Sequence, residues 1–192
     1  TRIFYTGENL RPDFNQCDYA FSFDYPVTER NYRLPLYHMY GYTENLRNRA
    51  QSAPGFSGRK FCNFVYSNRK APERIAFFNQ LKRYKQIDSG GKVLNNIGGR
   101  VRNKLEFLRN YKFTIAFENS TYPGYTTEKI AEALYANTIP IYWGNPLVTR
   151  DFNPECFINC HDFRSFEEVI AYVIKVDNDE ELFQKYLSAP AF

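Results

Sequence analysis

From residue 117 the chain reads Phe-Glu-Asn-Ser-Thr-Tyr-Pro-Gly-Tyr-Thr-Thr-Glu-Lys, which gathers Glu118, Asn119, Tyr125, Glu128 and Lys129 within a dozen positions. These are the groups that hold a hydroxyl-rich, anionic ligand. Carboxylates accept from ribose hydroxyls, an amide both donates and accepts, and an ammonium faces phosphate. Glu128 and Lys129 fall in the first turn of a helix beginning near Thr127, about 100° apart around its axis. Alone, that pair also suits an ordinary N-terminal Glu favoured by the helix dipole beside a solvated Lys.

The flanking elements make the loop a ligand site. Apolar residues 113–117 predict a buried strand and 139–142 a second one, which with the helix between them form a βαβ unit. In open α/β sheets ligands bind beyond the carboxyl ends of strands, where helix N-termini present free N–H groups.

Upstream, 2–5 and 19–23 are strand-like, and 51–58 has the turn composition of a domain junction. Residues 61–66 predict a strand, 67–71 a turn and 72–85 a helix, with Pro72 in its first turn and Ile75, Phe78 and Leu81 on its apolar face. Gly90-Gly91 and Gly98-Gly99 bracket a flexible loop that matches no phosphate-binding fingerprint. A helix carrying Val101, Leu105 and Leu108 follows. A short strand is expected at 157–159, a helix capped by Ser165 through the pattern Ser165-x-x-Glu168, and a last helix opened by 177–180. The regular alternation from residue 61 onward predicts a doubly wound parallel α/β sheet.

Hydrophobic residues make up 43% and aromatics 18% of 192 residues, enough for a substantial core with Phe and Tyr as its main filling. No apolar run reaches the roughly 20 residues of a membrane span, and no signal-peptide pattern opens the chain. Starting at Thr1 inside a structured motif, the chain reads as a fragment or processed product. A net charge of +4 is too mild for a nucleic-acid binder. A diphosphate would welcome a few of the groups Arg59-Lys60, Arg69-Lys70 and Arg100, Arg102, Lys104, but most are read as solvated surface. Cys17, Cys62, Cys156 and Cys160 form no disulfide framework, and Cys156, Cys160 and His161 lack the ligand pair that would complete a metal site. Asp177-Asn178-Asp179 has the look of a D-x-D metal motif, but an N-cap explains it better, so no metal is expected.

The runs Tyr111-Lys112-Phe113, Phe117-Glu118-Asn119-Ser120, Tyr125-Thr126-Thr127-Glu128-Lys129 and Ile139-Pro140-Ile141-Tyr142-Trp143-Gly144 together resemble the GDP-fucose-dependent α-1,3/1,4-fucosyltransferases, particularly bacterial ones. The resemblance extends from Arg2 through the motif Tyr5-Thr6-Gly7-Glu8-Asn9 to about Phe163. It implies the donor-binding half of a two-domain GT-B glycosyltransferase. Residues 1–57 would be the end of an acceptor-side domain and junction, and 58–192 a Rossmann-like GDP-fucose domain. The expected reaction is inverting transfer of L-fucose from GDP-β-L-fucose to a hydroxyl of N-acetylglucosamine or glucose in a glycan. The alternative is a non-catalytic nucleotide-sugar-binding domain.

The resemblance assigns Glu8 as general base and Ser67, Asn68, Arg74, Asn119, Tyr125, Glu128 and Lys129 to the donor, with no cofactor. Taken as bare residues, Glu8 also fits a turn carboxylate capping Asn9 or Leu10, and Arg74 a surface helix position. Tyr125 fits packing or a donor hydroxyl equally. The sequon Asn119-Ser120-Thr121 coincides with a donor position, so either folding protects it or the protein meets no glycosylating compartment, the second suiting a bacterial source. The implied location is the bacterial cytoplasm, peripheral at the inner membrane through segments outside this chain, or the Golgi lumen for a eukaryotic source.

Overall fold

The structure is a computed structural model, and it describes residues 1–47 and 58–192. Two all-parallel sheets organise it. The smaller holds β1 (Ile3–Tyr5), β2 (Tyr19–Ser22) and β3 (Asn31–Arg33) in the order β1-β2-β3. Its register aligns Tyr5, Phe21 and Tyr32, and together with Ile3 and Tyr19 these make an exposed apolar face. Two short helices follow, α1 (Leu36–Met39) and α2 (Tyr42–Arg47). The expected junction at 51–58 lies, apart from Gly58, outside the described residues.

The larger sheet contains β4 (Lys60–Phe64), β5 (Ile87–Ser89), β6 (Tyr111–Phe117), β7 (Ile139–Trp143) and β8 (Ile158–Asn159), ordered β5-β4-β6-β7-β8. Helices α3 (Pro72–Leu81), α4 (Lys104–Leu108), α5 (Glu128–Tyr135), α6 (Phe166–Asn178) and α7 (Glu180–Ser188) cover it. One face packs Phe64, Phe77, Phe113, Phe117 and Phe183; the other packs Ala116, Ile130, Leu134, Tyr142 and Phe157. Burial on both faces is why its strands read as near-continuous apolar runs. The α/β, parallel-sheet expectation stands.

Several boundaries differ from the sequence reading, each for a visible reason. The strand expected over 61–66 leaves the ladder at Phe64, and Tyr66 instead bridges to β6, its hydroxyl donating to the Ile115 carbonyl (2.6 Å) and accepting from the Phe117 N–H (2.8 Å). The helix expected over 72–85 stops at Leu81, so that Tyr84 and Lys85 reach the Asp177 carboxylate at 3.0 and 2.5 Å. Val101 lies outside α4 and packs on Gly90, whose added Cβ would stand 2.6 Å from Val101 Cγ1. The Gly90-Gly91 pair serves close packing rather than flexibility, because a Cβ on Gly91 would fall 2.1 Å from the Tyr66 carbonyl oxygen. Of the 177–179 segment only Asp179 caps α7, accepting from the Leu182 N–H at 3.0 Å. Asp177 belongs to α6, and its buried carboxylate joins Lys85 (2.5 Å) and Lys112 (2.8 Å) in an ion-pair cluster. The cap by Ser165 forms as expected.

Candidate active site

In the larger sheet β5 lies on one side of β4 and β6 on the other, which puts the topological switch point between β4 and β6. Connections leaving these strands on opposite faces open a crevice beyond their carboxyl ends. A cavity of about 340 Å³ occupies it. All eight sequence-derived site residues line it: Glu8 from the small sheet, Ser67, Asn68 and Arg74 after β4, and Asn119, Tyr125, Glu128 and Lys129 between β6 and α5.

Arg74 is 1% exposed and sits in the first turn of α3 with its guanidinium 3.7 Å above the Tyr66 ring. Its Nη2 donates to the Phe117 carbonyl (2.8 Å) and to Asn119 Oδ1 (2.9 Å). Among the described residues its Nε and Nη1 have no hydrogen-bond partner. A buried guanidinium with unmet donors is costly unless an anion arrives to take them. This is a recessed, oriented arginine rather than the surface helix residue that Arg74 alone also fitted.

Asn119 continues the chain of contacts. Its amide nitrogen donates to Glu8 Oε2 at 3.3 Å, and the Tyr125 hydroxyl reaches the same oxygen at 3.5 Å. The Glu8 side chain therefore points across the cleft instead of capping its own turn, where its backbone carbonyl accepts from the Leu10 N–H. Tyr125 both packs and bonds: it is 1% exposed and meets Phe23 edge-on at 4.8 Å. Burial and the nearby Glu118 raise its hydroxyl well above the usual tyrosine range.

At the start of α5, Glu128 and Lys129 converge rather than diverge, Lys129 Nζ lying 3.4 Å from Glu128 Oε1. Burial works against the charge of Glu128, but Lys129, Lys104 and the first-turn amides outweigh it and leave its carboxyl below the usual range. Lys129 also meets Glu118 Oε2 at 3.1 Å and Thr127 Oγ1 at 2.8 Å. Burial works to lower its pKa, and the two carboxylates more than reverse this. Ser67 and Asn68 form the rim above β4, Asn68 accepting from the Lys70 N–H at 2.8 Å.

The sequence reading gave no role to three residues of this site. Glu118 was seen only as one member of the loop, and Lys104 only as one of a basic group, mostly surface, of which a diphosphate would draw a few; Lys104 lines the cavity and pairs with Glu132. Tyr66 appeared only as the end of a strand. Nothing local marks any of them; the tertiary fold brings Tyr66 and Lys104 to the crevice and Glu118 beneath it. Among the described residues no three His, Cys, Asp or Glu side chains cluster as metal ligands, and Cys156 and Cys160 are buried free thiols.

Comparison with known proteins converges on one family. The model of the Glycosyltransferase family 10 (fucosyltransferase) C-term matches residues 57–189, and that of the Alpha-(1,3)-fucosyltransferase FucT N-terminal domain matches 1–40. The Alpha-(1,3)-fucosyltransferase FucT of Helicobacter pylori is 38% identical over 90% of this chain and 43% of its own length. A putative fucosyltransferase of Acanthamoeba polyphaga mimivirus is 32% identical over 69% of this chain and 24% of its own. The chain thus spans under half the length of these curated relatives. A crystal structure of an alpha1,3-fucosyltransferase with GDP-fucose superposes on 99% of this chain and 66% of that one, with a TM-score of 0.90 at 35% identity. By sequence and by fold alike, this chain belongs to glycosyltransferase family 10, the fucosyltransferases.

Proposed function

We propose that the chain carries the donor site and the base of an inverting α-1,3-fucosyltransferase that takes L-fucose from GDP-β-L-fucose. The carrying observation is Asn119, which accepts from Arg74 and donates to Glu8 and so brings a phosphate-seeking cation and a carboxylate onto one cleft wall. In the proposed step the Glu8 carboxylate takes the proton of an acceptor hydroxyl as that oxygen bonds to the anomeric carbon. The bond from that carbon to the β-phosphate oxygen breaks, and its electron pair leaves with GDP. The free Nε and Nη1 of Arg74, with Lys129, meet the charge that develops on the diphosphate. Glu128 accepts from ribose hydroxyls, Asn119 and Tyr125 border the sugar, and Ser67 and Asn68 close the rim.

The acceptor belongs to the same proposal: N-acetylglucosamine or glucose within a glycan, with the 1,3 linkage favoured by the names of the relatives. So does the division at 57/58 into an acceptor-side segment and a donor domain. The uncovered apolar face of the small sheet supports it, since parallel sheets are ordinarily covered on both sides. We assign the protein to the bacterial cytoplasm on the strength of the family resemblance.

Calorimetric titration of this chain with GDP-fucose, GDP-mannose and UDP-galactose tests the reading. Selective GDP-fucose binding supports the donor site, and acceptor-dependent release of GDP supports transfer. Binding without turnover supports the non-catalytic alternative. A folded sample that binds none of the three rejects the reading.

A further inference from the structure

Glu118 is 0% exposed at the end of β6, beneath the cleft and out of reach of its contents. Its two oxygens are fully engaged. Oε1 accepts from the Thr127 N–H at 2.7 Å, and Oε2 accepts from the Thr127 hydroxyl at 2.7 Å and from Lys129 Nζ at 3.1 Å. Gly144 keeps the space this carboxylate needs, since a Cβ there would stand 2.4 Å from Glu118 Cγ. A carboxylate is thus built into the floor of a site that has to attract an anion. If attraction alone shaped the site, that charge would be a defect.

We propose that Glu118 is a positioning residue that acts through Lys129, holding its ammonium charged and aimed at the phosphate end of the nucleotide. The inference rests on the donor reading above. Lys129 is only 12% exposed, and a lysine so placed tends to lose its proton. The groups facing it are Glu118 just after β6, Glu128 from its own helix, and the hydroxyls of Tyr66, Thr127 and Tyr125, with Arg74 and Lys104 also lining the cavity. Of the two carboxylates, Glu128 is the one assigned to the ribose. Glu118 is left as the counter-charge that persists when the donor is bound, buried where water and ligand do not reach it.

The two roles of Glu118, helix capping and charge retention, separate in a pH series. GDP is titrated into the parent chain and E118Q from pH 7 to 9. The parent-to-variant affinity ratio is expected to widen by about tenfold or more as Lys129 of the variant deprotonates. A ratio constant across that range, whatever its size, reduces Glu118 to a cap and overturns the proposal. E118Q/K129R should restore the flat profile, because a guanidinium keeps its proton throughout; a double variant that still loses affinity overturns the proposal as well.

If E118Q does not fold, comparing the parent with K129R serves instead. A constant affinity ratio from pH 7 to 9 is expected, and a parent that weakens relative to K129R as pH rises overturns the proposal. Failure of the parent to bind GDP at any pH rejects the donor reading and is distinguishable from all of these.

Discussion

Arg33 and Asp151, 118 residues apart in sequence, meet in a two-pronged ion pair with contacts of 2.7 and 2.6 Å. Arg33 also donates to the Phe23 carbonyl at 3.2 Å and to the Gly124 carbonyl at 3.0 Å, and Asp151 accepts from the Thr126 hydroxyl at 3.0 Å. One guanidinium therefore ties the small sheet to the loop that presents Tyr125. Both side chains are largely buried, at 14% and 4% exposure. Removing one partner leaves the other uncompensated, so D151A is expected to cost about 3 kcal/mol or more and to lower Tm by roughly 6–12 °C. Thermal unfolding followed by circular dichroism measures it; a change under 2 °C would show the pair to be ornamental.

Among the described residues the Glu8 carboxylate bonds to the donor loop through Asn119 and Tyr125, so its removal should spare nucleotide affinity. E8Q is expected to bind GDP-fucose within about threefold of the parent while transfer falls by roughly 10²–10⁴-fold. The assay pairs calorimetry with acceptor-dependent GDP release, using whichever form of the protein turns over. Undiminished turnover removes Glu8 as base.

Two nitrogens of Arg74, Nε and Nη1, hold three unmet N–H donors at fixed angles among the described residues, which an ammonium does not reproduce. R74K should weaken GDP binding by about 10–100-fold, the loss of one or two charge-assisted hydrogen bonds. A lysine variant that binds GDP as well as the parent would show that Nε and Nη1 of Arg74 are not where the phosphates go.

Acid stability should report Asp177. Burial opposes its charge, but bonds from Lys112, Lys85 and Tyr84 outweigh it and hold its carboxyl below the usual value. A carboxyl depressed in the folded state stabilises above the unfolded-state pKa of about 3.9, and loses that contribution as pH falls through the folded value. Stability should therefore drop on acidification below about pH 4, and D177N should be less stable at neutral pH with a shallower acid limb. Parallel acid limbs in the two proteins would assign the acid sensitivity to other carboxylates.

Gly91 tests how tightly the loop after β5 is held. An alanine Cβ would overlap the backbone of Tyr66, which cannot move without disturbing its bonds to β6. G91A is expected to cost about 1–3 kcal/mol by chemical denaturation, whereas G99A, with open space around the site, should change little. Equal effects of the two would return the loop to a flexible role.

The parallel α/β class and the loop from Glu118 to Lys129 were legible before any coordinates, because both are written in contiguous motifs, whereas Glu8, Ser67, Asn68 and Arg74 were named only through the family resemblance. A strand followed by Glu118-Asn119 and a helix opened by Glu128-Lys129 makes local sense within a dozen residues. What stayed hidden was whatever depends on a distant partner. β5 has the sequence Ile87-Asp88-Ser89, which no strand pattern announces; it forms because Asp88, 4% exposed, is satisfied by Lys60, Gln86 and Tyr111. β3 likewise depends on Asn31 meeting Ser22.

By itself, then, the sequence determined most strands and helix starts of the larger sheet, β5 and the start of α4 excepted, since hydrophobic period and capping act over a few residues. Only the tertiary structure decided the rest: that Lys129 is shared between Glu118 and Glu128, that Arg74 keeps two donors free, and that Glu8 reaches Asn119 from another sheet. Those relationships depend on which strands become neighbours. The order β5-β4-β6 is set by the packing of two helix layers over the whole sheet, a long-range property that no short window of sequence contains.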